Sequence, residues 1–109
     1  MTETPEMALR ALADPTRIAI LRLVGSKELR ASAIAEHFET TRPAISQHLR
    51  VLTDAGLIVV RRDGTRRLYR LRPDGFRGVR QFLDAFWDEK LDRLKAAVER
   101  DVGGKNGRR

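Results

Sequence analysis

Apolar positions recur at helical spacing through the first half of the chain. Ile18 and Leu21 stand three apart, and Ile20 and Val24 stand four apart. With Leu23 they predict a helix that Gly25 is placed to end. Asp14 and Pro15 supply an N-cap and a first-turn proline for it. Upstream, Met7 to Ala13 reads as a short helix. "SAIAEHF", residues 32–38, predicts another, with Ile34 and Phe38 on one side. After a turn at Glu39–Thr40, Thr41 is placed to cap a further helix. That helix tolerates Pro43 in its first turn, runs to Ala55 and stops at Gly56.

The period then changes. "LIVVRR" and "RLYRL" predict two strands with "DGT" between them. If Asp63–Gly64 is the two-residue loop, Ile58 faces Tyr69 and Arg61 faces Arg66. Like charges opposite one another disfavour an isolated ladder, so such a tip fits an anionic partner. From about Asp74 to about Arg100 one long helix is expected, with Gly75 and Gly78 weakening its first turns. Phe76, Val79, Leu83 and Phe86 form one apolar stripe. Trp87, Leu91, Leu94 and Val98 form a second, shifted stripe, so the helix can meet two neighbours. The predicted fold is mainly α with a small β-hairpin. Two short helices joined by a tight turn and followed by an Arg-tipped hairpin make a winged helix-turn-helix.

The helix from Thr41 to Ala55 has two distinct faces. At about 100° per residue, Leu49 and Leu52 fall within roughly 40° of Ile45 and set the core direction. Ser46, Arg50 and Gln47 point outward, and the long side chain of Arg42 can join them. On a recognition helix such a face reaches base edges in the major groove. Arg42 and Gln47 suit bidentate base contacts, Ser46 allows close approach, and Thr41 and Arg50 suit phosphate. Ordinary solvent-facing residues produce the same pattern, and the adjacent Arg-rich hairpin favours the DNA reading. His48 falls on the opposite shoulder of the core face. It is expected to pack against the preceding helix and to bond a backbone or phosphate group. His37 reads as a surface or half-buried histidine.

Charge sharpens the picture. The 109 residues carry a net charge of +7, and residues 41–72, with eight Arg and two Asp, hold +6 of it. That concentration is the footprint of a polyanion-binding surface, although an Arg-rich genome gives the same bias on a solvated face. The length fits one domain, expected over residues 1–101, followed by a disordered basic tail at 102–109. No apolar run approaches a membrane span, and no signal peptide is evident, which fits a cytoplasmic protein. The chain has no cysteine, which excludes disulfides and thiolate metal sites.

"ALADPTRIAILRLV", "RPAISQHLRVLTDAGLI" and "RRDGTRRLYRL" together resemble the ArsR (ArsR/SmtB-like) family of winged-helix transcriptional regulators, over roughly residues 8–100. The resemblance implies a homodimer, usually a repressor, on a pseudo-palindromic operator. The 41–55 helix and a wing bearing Arg61, Arg62, Arg66 and Arg67 would contact the DNA. It also implies a dimer interface built by the first and last helices, here Leu9, Leu12, Phe76, Val79, Phe82, Leu83, Phe86, Trp87, Leu91, Leu94 and Val98. The family's Cys-x-Cys metal motif aligns with Arg30 and Ser32. The last helix offers Asp84, Asp88, Glu89 and Asp92 but no histidine, a poor set for zinc. These acids read instead as a solvated face with helical partners such as Glu89–Arg93 and Asp92–Lys95. The form of the motifs is most similar to the cysteine-free, SdpR-like branch, for which no metal and no cofactor are expected. The effector, the operator and the choice between repression and activation are not written in these motifs.

An enzyme is disfavoured, because Ser46 and His48 lie about 200° apart on their helix and no catalytic constellation is present. A protein-interaction module would not concentrate its charge on the central segment. A nonspecific nucleic-acid-binding protein, or a metal-responsive repressor with an atypical site, is the alternative function.

Overall fold

The computed structural model describes residues 4–105. Its elements run α1 (Pro5–Leu12), α2 (Pro15–Ser26), β1 (Leu29–Arg30), α3 (Ala31–Ala35), α4 (Arg42–Asp54), β2 (Ile58–Asp63), β3 (Arg66–Leu71) and α5 (Pro73–Lys105). The chain divides after Val79, so that residues 80 onward of α5 form a second compact unit. Among the described residues no helix is long and apolar enough to cross a membrane.

Local chemistry sets the helix starts. The Thr4 side chain accepts from the Met7 N–H at 3.1 Å. Asp14 accepts from the N–H groups of Thr16 and Arg17 at 2.8 and 3.1 Å, and Thr41 accepts from Ala44 at 3.2 Å. Each cap satisfies donors that the first turn leaves without helical acceptors. α4 ends in a Schellman motif. The Leu57 N–H donates to Leu52 O and the Gly56 N–H to Thr53 O, both at 3.0 Å. Gly56 supplies the left-handed residue (φ 78°). Leu52 and Leu57, the positions whose apolar side chains commonly accompany this motif, are both buried in the core.

Three expectations need correction. Gly25 does not stop α2, which runs through it to Ser26; the left-handed glycines are Gly56 and Gly64. α3 is one short turn-and-a-half at 31–35 rather than 32–38, though Phe38 still packs on the core from the turn that follows. The hairpin register is displaced by two residues. Ile58 pairs with Leu71, Arg61 with Leu68, Arg62 with Arg67 and Asp63 with Arg66. The loop is therefore Gly64–Thr65, with Gly64 at φ 67°. This register gives Arg66 an acid rather than an arginine opposite it, and the like-charge pairing moves to Arg62 and Arg67.

The hairpin is also part of a larger sheet. β1 adds antiparallel to β3, with Leu29 opposite Tyr69 and Arg30 opposite Leu68, in the order β1-β3-β2. Ile20, Ile34, Ile45, Leu49, Leu52, Leu57 and Ile58 fill the core between the helices and this sheet. Gly75, expected only to weaken α5, lies against backbone: a β-carbon there would sit 1.9 Å from Gly56 O. α5 continues to Lys105, into the segment expected to be tail. Residues 106–109 of that segment lie outside the described residues.

Candidate nucleic-acid interface

The α3–turn–α4 unit presents α4 with a buried and an exposed face. Ile45, Leu49 and Leu52 are at most 2% exposed. Thr41, Arg42, Ser46, Gln47 and Arg50 are all exposed, and the helical period puts Ser46, Gln47 and Arg50 on the outward side together. The Thr41 hydroxyl accepts the cap bond from the Ala44 N–H and keeps its own proton to donate.

The wing arginines divide into two kinds. Arg66 donates to Asp63 across the hairpin at 3.3 Å, and both side chains are about half exposed. Arg62 and Arg67 are exposed and directly opposite each other, an arrangement that a nearby anion relieves. Arg61 is held instead by Glu28 through two bonds, Nη2 to Oε1 at 2.7 Å and Nε to Oε2 at 3.1 Å. This bidentate pair holds the Glu28 carboxyl below its usual range and raises the Arg61 guanidinium above its own. A depressed carboxyl contributes its pairing fully above the ordinary carboxylate range and loses it as pH falls through the folded value. At neutral pH Arg61 is thus partly neutralised from within the fold. Sequence reasoning missed Glu28 because it lies 33 positions away.

His48 is half-buried, but its partner is not α3. Its Nδ1 lies 3.2 Å from Arg17 Nη1, on α2. Arg17 also donates to the carbonyls of Ala11 at 2.6 Å and Arg10 at 3.3 Å. Its backbone N–H is the chief reason the Asp14 carboxyl lies below its ordinary value. Nothing local in "DPTR" announces this role for Arg17. His37 bonds only one turn back, with Nδ1 3.0 Å from Ala33 O.

The residues expected at a dimer surface fall into two sets. Leu9, Leu12 and Phe76 pack against the core, and Val79, 6% exposed, is part of it. Phe82 is half-buried. Leu83, Phe86, Trp87, Leu91, Leu94 and Val98 are exposed large apolar side chains, Trp87 and Leu94 each at 59%. Phe86 stacks on Phe82 with centroids 6.3 Å apart and lies under the Lys90 ammonium at 5.5 Å. Glu89 accepts from Arg93 at 2.8 Å, as helical spacing predicts. Among the described residues no group of three or more His, Asp or Glu side chains is placed to hold a metal ion.

A short helix, a turn, a helix with one polar face outward and an arginine-bearing wing define a winged helix-turn-helix DNA-binding module. Known proteins share this plan. Residues 12–61 match a helix-turn-helix domain family. The chain is 43% identical, over 81% of its length and 82% of the relative's, to the HTH-type transcriptional regulator Rv2034 of Mycobacterium tuberculosis. It is 36% identical to the arsenical resistance operon repressor of Staphylococcus xylosus, over 70% of this chain and 73% of that one. It superposes with a TM-score of 0.62 and 32% identity on a homodimeric winged helix-turn-helix domain of a possible ArsR-family regulator from Mycobacterium bovis, covering 77% and 78% of the two chains. The chain belongs to the ArsR family of transcriptional regulators. It is a DNA-binding regulator and not an enzyme.

Proposed function

We propose that the chain is a homodimeric repressor that reads a pseudo-palindromic operator in the cytoplasm, with α4 in the major groove and the β2–β3 wing on the flanking backbone. The observation that carries this reading is the two-faced α4. Three apolar residues seat it, while Arg42, Ser46, Gln47 and Arg50 stand exposed on the other side. The homodimeric relative from Mycobacterium bovis supports the dimer, and the exposed apolar side chains of α5 offer a surface for it. The direct test is competition. The dimer should hold a short inverted repeat against excess unrelated duplex, and equal displacement by both would leave only nonspecific binding.

Base readers and phosphate contacts separate experimentally. Gln47→Ala should cost about 1–3 kcal/mol on the operator and relax the choice of base at one position in each half-site. Equal losses on operator and random duplex would remove Gln47 from the reading set. Arg67→Ala should weaken both kinds of DNA and lower the salt slope by about one for each phosphate that goes unneutralised. An unchanged slope would take the wing off the DNA. Arg67 is the better probe than Arg61, whose guanidinium is already engaged by Glu28.

A further inference from the structure

Successive side chains of a strand point to opposite faces, so the wing arginines belong to two sets. Ile58, Tyr69 and Leu71 pack with Leu29 on the core, which makes theirs the inner face of the sheet, turned toward α2, α3 and α4. Alternation from Ile58 puts Arg62 on that face, and Arg67 stands opposite it. Arg61 and Arg66 fall on the outward face. Each outward arginine has an acid. Glu28, one residue before β1, reaches over β3 to take Arg61 in a fork at 2.7 and 3.1 Å. Asp63 takes Arg66 at 3.3 Å. Arg62 and Arg67, on the inner face, have no ion pair among the described residues. Glu28 is no loose surface acid, since its side chain is only 26% exposed. Arg30 and Arg70, the other outward arginines, lie off the tip, on β1 and beside Val59, and Arg70 is close enough to act on the Glu28 carboxyl as well.

We propose that Glu28 is a specificity-determining residue: by engaging Arg61 it silences the outward face of the wing, so that phosphate is drawn to the side where α4 is in position to read bases. The proposal rests on the operator-binding reading above. Operator binding fixes one orientation, in which α4 and the inner arginines meet the duplex. Nonspecific binding is set by charge alone and uses every orientation that brings cations to phosphate. An unmasked arginine on the outward face strengthens the nonspecific mode and contributes nothing to the specific one. The genome offers far more nonspecific sites than operators, so the ratio of the two affinities decides occupancy. An exposed ion pair adds little to folding stability. The fork over β3 therefore matters through the charge it removes from the outward face, and Asp63 does the same for Arg66.

Full-length protein is titrated onto an operator duplex recovered by genome-wide mapping of bound DNA, and onto random duplex of the same length, over a range of salt. Glu28→Gln keeps the length of the side chain and removes its charge. On random duplex it should bind about five- to tenfold more tightly at about 0.1 M salt, with a slope steeper by about one for each freed guanidinium that reaches a phosphate. On the operator it should stay within about twofold of wild type, so the ratio of the two affinities falls. Adding Arg61→Ala to Glu28→Gln should return the random-duplex affinity to that of wild type, and Arg61→Ala alone should change little on either duplex. Glu6→Gln removes one acid from an exposed position on α1 and should leave both affinities within about twofold of wild type. Circular dichroism checks folding, and Glu28→Ala stands in if Glu28→Gln fails to fold. No gain on random duplex shows that Glu28 masks nothing. An equal gain on both duplexes, or an Arg61→Ala loss on the operator as large as that of Arg67→Ala, puts Arg61 on the operator. An equal gain from Glu6→Gln reduces the effect to net charge. Each of these overturns the proposal and leaves operator binding intact. Wild-type protein that holds the operator no better than random duplex sinks the operator reading, and this proposal with it.

Discussion

Leu94→Glu is expected to convert the protein to monomers and to cost about 10²–10⁴-fold in operator affinity, the range by which two linked half-site contacts exceed one. Leu94 and Trp87 are each 59% exposed in the single chain, so a charge there meets water in the monomer and should leave the protomer folded. In a dimer the same carboxylate would be buried without a partner, which apolar interfaces do not tolerate. Large exposed apolar side chains at helical spacing mark a surface that is covered in the working assembly. Sedimentation at micromolar concentration reads the result. A persistent dimer would place the interface elsewhere and remove the exposed stripe of α5 from it.

Two glycines three residues apart should respond to alanine with opposite signs. At Gly75 a β-carbon would meet Gly56 O at 1.9 Å, Gly56 C at 2.8 Å and Leu57 Cα at 3.3 Å. All three are backbone atoms of the Schellman turn that ends α4, and no side-chain rotation can clear them. The first turn of α5 must move, and that turn is tied to the same place by Arg72, whose N–H donates to Leu57 O and whose Nη1 donates to Gly56 O. Gly75→Ala should therefore cost about 2–3 kcal/mol, in the upper range of overpacking. That corresponds to roughly 8–20 °C in Tm for a domain of this size. At Gly78 a β-carbon meets nothing within 4 Å, so Gly78→Ala should gain about 0.5–1 kcal/mol from helix propensity. Thermal unfolding of both variants checks the pair. A Gly75→Ala protein that melts with wild type would mean the two backbones do not touch.

These two glycines also mark where sequence reading stops. From the chain alone both are helix-weakening residues in one turn, and only the packed fold separates them. Thr41 and Asp14 were legible as caps because a cap acts within three residues. The polar face of α4 was legible because one helical period fixes which side chains share a side. β1 was not legible, since two residues have no period and become a strand only where β3 offers an edge. The hairpin register slipped because Asp-Gly and Gly-Thr are adjacent candidates for the same loop, and Leu71 opposite Ile58 decides between them. Arg17 with His48, and Glu28 with Arg61, span 31 and 33 positions. They are tertiary facts with no local signal.

Among the described residues the strand order β1-β3-β2 leaves β2 with a strand neighbour on one side only. Its other edge is an open row of backbone donors and acceptors, the template on which chains join into aggregates. Val60 is 43% exposed there, and Arg61, Arg62 and Asp63 follow it. Charge at this edge makes pairing with a second copy repulsive. The arginines that suit the wing for a polyanion therefore also guard the protein's solubility, and replacing them together with apolar residues would create a sticky strand as well as a weaker DNA contact.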